Sequence, residues 1–287
     1  MPHPRWVKVD EVEIPQRYIN DGAEALRSQL GREGIEKIGG KTWWEWRRAG
    51  SDLKAEWIEM RSDYWNRKEK RLDSDRVILY IHGGAYFFGS VDEHRYQMQR
   101  HARKLKGRVF APRYRLAPQF PFPCGLHDCL SAYLYLISVQ HPSTILLAGD
   151  SAGGGMVLRY AERPTSGRPE LTFTSILVLL RDRGLPLPAG AILISPWVDL
   201  THSLPSVGGD NPLDYIPPHG FQQRPSVSWP PPNADELNEV ARKQGRRSDQ
   251  ELAATRATEH ESVQGYTVSA TPTAASRYDI LLDIYSQ

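Results

Sequence analysis

Cysteine is nearly absent: Cys124 and Cys129 are the only two in 287 residues. That excludes a disulfide framework and a cysteine-rich zinc site. No apolar run approaches the ~20 residues that span a bilayer. The opening stretch, MPHPRWVKVDEVEIP, carries charge and proline where a secretory leader would carry an apolar segment. An excess of one charge is missing too. Lys and Arg number 36 against 34 Asp and Glu, leaving +2, so the basic stripe of a dedicated nucleic-acid binder is not expected. There is no internal repeat and no heptad. The expectation is a cytoplasmic protein that meets a small molecule, with no nucleic-acid partner and no transmembrane segment.

What is present divides into three zones. Residues 1–75 are charged and rich in tryptophan. Residues 76–200 are strongly patterned. From Ser203 the chain is polar and proline-broken, and its Leu, Ile, Val and Phe fall below the ~20% that usually supports a core. Pro230-Pro231-Pro232 cannot sit inside a helix or a central strand. A short helix over Ala234–Lys243 is the one element that tail allows.

The middle zone alternates strand and helix signals. Arg76–His82 (RVILYIH) is an apolar, β-branched run ending at Gly83-Gly84, the mark of a buried strand. Glu93–Lys104 reads as a helix stopped by Gly107. Arg108–Tyr114 is a second strand, with Pro112 placing it near a bend or a sheet edge. Cys124–Gln140 has one apolar face at helical spacing. Thr144–Ala148 and Ala191–Ser195 are further strands, and Lys54–Met60 is an antiparallel edge candidate. Strands separated by helices imply parallel pairing with right-handed crossovers. The expected fold class is α/β, a mostly parallel doubly wound sheet.

Two motifs carry chemistry. Gly149-Asp150-Ser151-Ala152-Gly153 follows the strand TILLA directly, giving G-x-S-x-G in strand-to-turn context. The serine sits at a strained turn, and the flanking glycines remove Cβ atoms that would clash as strand and helix cross. A helix starting after Ser151 turns free backbone N–H groups and a positive dipole end toward its hydroxyl. His82-Gly83-Gly84-Ala85 also follows a strand. Acyl transfer places negative charge on the former carbonyl oxygen, which needs donors fixed in advance. Gly83 and Gly84 N–H are assigned as two donors and Ala152 N–H as the third. Asp150 is read as a structural anchor of the turn.

HGGAYFFGS, YRLAP (Tyr114–Pro118) with FPFP, GDSAGG and SPWVDL, in that order, resemble the hormone-sensitive-lipase-like branch of the α/β hydrolases, also called esterase family IV. The segment Asp214–Phe221 looks like its fungal members. The resemblance covers about residues 50–230. It implies an α/β-hydrolase fold with an N-terminal helical cap formed by residues 1–50, a core over 51–202, and a Ser–His–Asp triad. It also implies that His82 shapes the loop and is not a base. Ser151 would attack carboxylic esters of short or medium acyl chains through an acyl-enzyme, which requires no metal or organic cofactor.

The sequence departs from that pattern downstream. The family places its acid after a late strand and its histidine near the C-terminus. Here the later histidines are His202, His219 and His260, and none follows such a strand. Asp199 matches SPWVDL, which is not the triad acid. Neither acid nor base is assigned. Residues 157–174 also interrupt a helix with Pro164, Gly167 and Pro169. Deleting them would join GDSAGGGM to SILVLL as one apolar helix, so this insert and the tail after about Arg247 look like translated non-coding sequence or a shifted frame. Two alternatives stand beside the esterase. One is a small-molecule binder without a working triad, as in the plant gibberellin receptors that share the fold. The other is a truncated, inactive chain. Trp43, Trp44, Trp46, Trp57 and Trp65 are read as packing in preference to an acyl pocket, and Arg100, Arg103, Lys104 and Lys106 as a solvated helix end.

Overall fold

The computed structural model describes residues 3–47, 50–70, 75–158 and 175–199, with Asp235, Glu239, Arg242 and Lys243. Two units divide the chain, Met1–Asn238 and Glu239–Gln287. In the second, the described residues are helical, and Lys243 Nζ lies 3.0 Å from Glu239.

The first unit is built on a six-stranded sheet. Its strands in chain order are β1 (Val7–Glu13), β2 (Lys54–Met60), β3 (Val77–Ile81), β4 (Arg108–Pro112), β5 (Ile145–Asp150) and β6 (Gly190–Ile194). Their spatial order is β1-β2-β4-β3-β5-β6. β1–β2 and β2–β4 are antiparallel, and the other pairs are parallel. The helices are α1 (Gln16–Lys37), α2 (Thr42–Glu45), α3 (Arg61–Lys68), α4 (Val91–Leu105), α5 (Cys124–Val139), α6 (Ala152–Val157) and α7 (Ile176–Asp182).

The alternation of β3 explains the layers. Val77, Leu79 and Ile81 join one core with residues of α1, α5 and α7. Ile78 and Tyr80 join another with Val91, Met98 and Ala102 of α4. All five residues are buried, each aliphatic one contributing about 1.5–3 kcal/mol. With β4 on one side of β3 and β5 on the other, chain direction reverses at the carboxyl ends of β3 and β5. Such a switch point leaves a crevice between the loops that leave the two strands.

Three expectations need correction. Val7–Glu13 is a strand of the sheet, so no division falls at residue 50. Its seven partners run from Val7↔Met60 to Glu13↔Lys54, which moves Lys54–Met60 from the edge to an interior place. Ile14, Tyr18, Leu26 and Trp44 belong to the same core as Leu130 and Tyr133 of α5; helices α1 and α2 build the layer beneath the sheet. β4 is likewise interior. Pro112 is its last residue, opposite Ala55, where a missing N–H interrupts no further ladder. Finally, α4 ends through Lys106 in the left-handed region, φ 52°. Gly107 N–H then bonds Ala102 O at 3.2 Å, closing the helix as a Schellman-type cap does.

Of the tail expected to be irregular, Asp235 is helical, and its carboxylate accepts from Lys41 N (2.8 Å) and Thr42 N (3.0 Å) at the start of α2. The insert from residue 159 to 174, the rest of the tail, and His202, His219 and His260 lie outside the described residues. Within the described part, α6 ends at Val157 and α7 begins at Ile176. No described helix is long and apolar enough to cross a membrane.

Candidate active site

The two chemical motifs meet because their strands are neighbours. Ile81 pairs with Gly149, so the loop after β3 and the turn after β5 leave the sheet side by side. At that turn Ser151 has φ 47° and ψ −118°, a region costly for a residue with a Cβ. The surroundings over-determine it. Ser151 N donates to Ile194 O (3.0 Å), and Ser151 O accepts from Gly155 N (3.0 Å) and Trp197 N (2.8 Å). SPWVDL therefore clamps the turn from β6. A Cβ on Gly149 would come within 2.5 Å of Gly153 C, and one on Gly153 within 2.6 Å of His82 O. These two glycines are demanded by backbone crossing backbone. Helix α6 is only six residues long, so its dipole is small and its contribution is chiefly the open N–H groups of the first turn.

Asp150 joins the motifs, as the sequence led us to expect. Its Oδ1 accepts from Tyr80 OH (2.8 Å) and Gly83 N (2.9 Å). His94 Nε2 lies 3.7 Å from Oδ2. Burial pushes the Asp150 carboxyl up, but the nearby His94 ring and the hydrogen bond from Tyr80 outweigh that and hold it below the usual carboxylate range. The neighbouring Asp150 carboxylate raises His94, against the opposing effect of burial.

This arrangement corrects one assignment. Gly83 N–H is already engaged by Asp150, so it does not point to where an oxyanion would form. Gly84 and Ala85 follow it with φ of 114° and 53°, and a Cβ on Gly84 would meet Phe88 C at 2.6 Å. The loop folds back on itself there, with Phe88 N donating to Gly84 O at 2.7 Å. Left-handed backbone at Ala85 and again at Tyr86 (φ 68°) re-aims the N–H groups that follow Gly83.

His82 is buried, and burial lowers it to about 4, despite the opposing bond to Gly83 O. It is neutral at pH 7. Its Nδ1 lies 2.7 Å from Gly83 O, which places the proton on Nδ1. Tyr114 stacks on the ring at 4.4 Å and donates to His82 O at 2.8 Å. Ala117 N donates to Tyr86 O at 3.0 Å. YRLAP thus braces the loop after β3, and its Arg115 binds the fully buried Asp128 of α5 at 2.9 Å through Nη2. Arg47 joins Asp128 as well.

Among the described residues Ser151 Oγ has no hydrogen-bond partner, and no group of three or more His, Cys, Asp and Glu could hold a metal. The tryptophans divide. Trp44 is buried and donates to Gly40 O at 3.0 Å, and Trp57 packs on Phe110 at 4.6 Å. Trp46 and Trp65 are exposed. Cys124 and Cys129 are free and buried; burial pushes Cys124 up to about 12.

Residues 78–217 match a family described by its alpha/beta hydrolase fold. An acetyl-hydrolase of Streptomyces hygroscopicus is 38% identical over 126 residues, which are 44% of this chain and 37% of that protein. An esterase of Acinetobacter venetianus is 33% identical over 127 residues, again 44% of this chain and 37% of its own length. A crystal structure of an esterase from the bacterial hormone-sensitive lipase family is 28% identical; the match covers 72% of this chain and 50% of that one, with a TM-score of 0.47. The chain spans little more than a third of the length of the curated relatives it matches.

Proposed function

We propose that this chain, which has an α/β-hydrolase fold and resembles the hormone-sensitive-lipase-like esterases, hydrolyses carboxylic esters of short or medium acyl chains, with Ser151 as nucleophile. Ser151 Oγ attacks the ester carbonyl, the alcohol leaves, and water releases the acid from the acyl-enzyme. Ala152 N–H and Gly84 N–H stabilise the oxyanion, with Ala85 N–H taking the place first given to Gly83. One such donor is worth roughly 10²–10³ in rate.

The observation that carries this reading is the turn itself: a left-handed Ser151 clamped by three backbone hydrogen bonds, beside a loop whose next free amides follow Gly83. The test is turnover of p-nitrophenyl acetate by the folded chain. Ser151→Ala abolishes it; equal turnover by the variant defeats the assignment.

A second reading, a small-molecule binder without catalysis, is favoured by one feature of the sequence: none of the later histidines, His202, His219 and His260, follows a late strand. A fluorophosphonate probe separates the two. Labelling at Ser151 supports the enzyme, and ligand-dependent stabilisation of an unlabelled chain supports the binder. The interruption between α6 and α7 has its own test. Transcript reads that lack codons for residues 157–174 would support translated non-coding sequence, and abundant reads retaining them would oppose it.

A further inference from the structure

The ends of the strands opposite Ser151 hold an unassigned recess of about 340 Å³, lined by Lys8, Asp10, Trp57, Glu59, Tyr64, Arg67, Lys68 and Arg108. Its floor is one face of the sheet. Lys8 faces Glu59 and Glu59 faces Arg108 across β1, β2 and β4. One pleat further, Asp10 faces Trp57. Helix α3 closes the side with Tyr64, Arg67 and Lys68.

Among the described residues, the recess gathers more cations than carboxylates. The lining has four cations and two carboxylates. Lys8 pairs with Asp10, and Arg67 with Glu59. Arg108 reaches out to Asp75 at 3.0 Å, while Arg61 adds a further positive charge that acts on Lys8. Lys68 has no carboxylate partner among the described residues. Among the described residues, Arg67 Nη1 and Arg108 Nε are buried with no acceptor, a state that costs free energy until an acceptor arrives. Aromatic rings hold the cations in place: Arg108 lies 4.6 Å over Trp57, and Lys8 4.6 Å and Lys68 5.8 Å over Tyr64.

We propose that this recess binds the phosphate group of a small ligand, either inorganic phosphate or a phosphate monoester such as the headgroup of an anionic lipid. A dianion matches the surplus of two charges. Its several acceptor oxygens suit guanidinium and ammonium donors converging from different elements. The volume is that of a small-molecule site, not a polymer groove. As further support, burial and neighbouring cations together hold Lys8 below its usual value, and burial with Arg108 does the same for Arg67. An incoming anion relieves both. The site lies at the other end of the strands from Ser151 and does not depend on the esterase reading.

The test is calorimetric titration of the full chain with inorganic phosphate at fixed ionic strength, beside sedimentation with phosphatidylcholine vesicles with and without phosphatidic acid. The expected result is saturable binding to one of these, weakened about tenfold by Lys68→Gln and by Arg108→Gln. Arg100→Gln, on a solvated helix end, leaves it unchanged. A thermal transition confirms that each variant is folded, and exposed Lys68 decides the matter if Arg108→Gln is not. Saturation by phosphate identifies a free phosphate or soluble monoester; binding only to phosphatidic acid vesicles identifies a lipid headgroup. No saturable binding to either, or binding equally strong in Lys68→Gln, overturns the proposal.

Discussion

The two ends of the one sheet are built differently. At the carboxyl ends of β3 and β5 the backbone is crowded and strained. Glycines let chain segments touch, and the polar groups are engaged with one another through Asp150. At the opposite ends, around Lys8, Glu59 and Arg108, the backbone is ordinary strand, and long cations crowd a recess with buried donors left over. Preorganised backbone suits a reaction in which charge develops and vanishes. Excess side-chain charge suits holding an ion that is charged from the start.

The largest expected effect breaks the first end. Gly153→Val places side-chain atoms against His82 O and its neighbours and costs more than about 4 kcal/mol, in the range of diagnostic packing failures. Gly190→Ala, at the start of β6, meets only Leu146 Cδ2 at 3.5 Å and changes stability by less than about 1 kcal/mol. Urea denaturation of the two variants measures the contrast; equal losses would remove it.

Acid sharpens the comparison next. His82 is depressed to about 4 from 6.5. Below pH 6.5 the unfolded chain takes up a proton that the folded chain refuses, so stability falls between those values by about 3 kcal/mol. His82→Gln flattens that limb of the stability–pH curve. Asp150, held below the carboxylate range, adds its loss only at lower pH, as pH falls through its depressed folded value. His94 has the opposite sign. Its value is raised by Asp150, so its contribution is complete below pH 6.5 and disappears as pH rises through the raised value. His94→Gln therefore costs about 1 kcal/mol in mild acid and nothing in alkali, read from denaturation midpoints across pH. The smallest effect belongs to Arg100→Gln, exposed on α4, within about 0.5 kcal/mol of the parent in the same assay.

How much of this was legible follows from where each signal resides. β3 and β5 carry short apolar runs, VILYI and ILLA, and buried parallel strands need that composition; β6 was read from the similar run AILI, though its side chains are only partly covered. β1 escaped because VKVDEVE mixes valines with charge, as a partly solvated outer strand does. Pro112 marked β4 as near a bend or an edge because proline is read locally, and only the register shows it as the final residue of an interior strand. At the candidate site the residue types were visible, but not the direction of an amide. That Gly83 faces Asp150 depends on how two loops meet. The basic recess was invisible because it draws on four separated segments, each unremarkable. The contiguous cluster that does stand out, Arg100 to Lys106, faces solvent.

The most direct measurement is reaction of the folded chain with a fluorophosphonate, followed by mass spectrometry of the labelled peptide. An activated hydroxyl at Ser151 gives one adduct per chain at that residue. A chain with an intact thermal transition that stays unmodified, or carries the adduct elsewhere, contradicts the account.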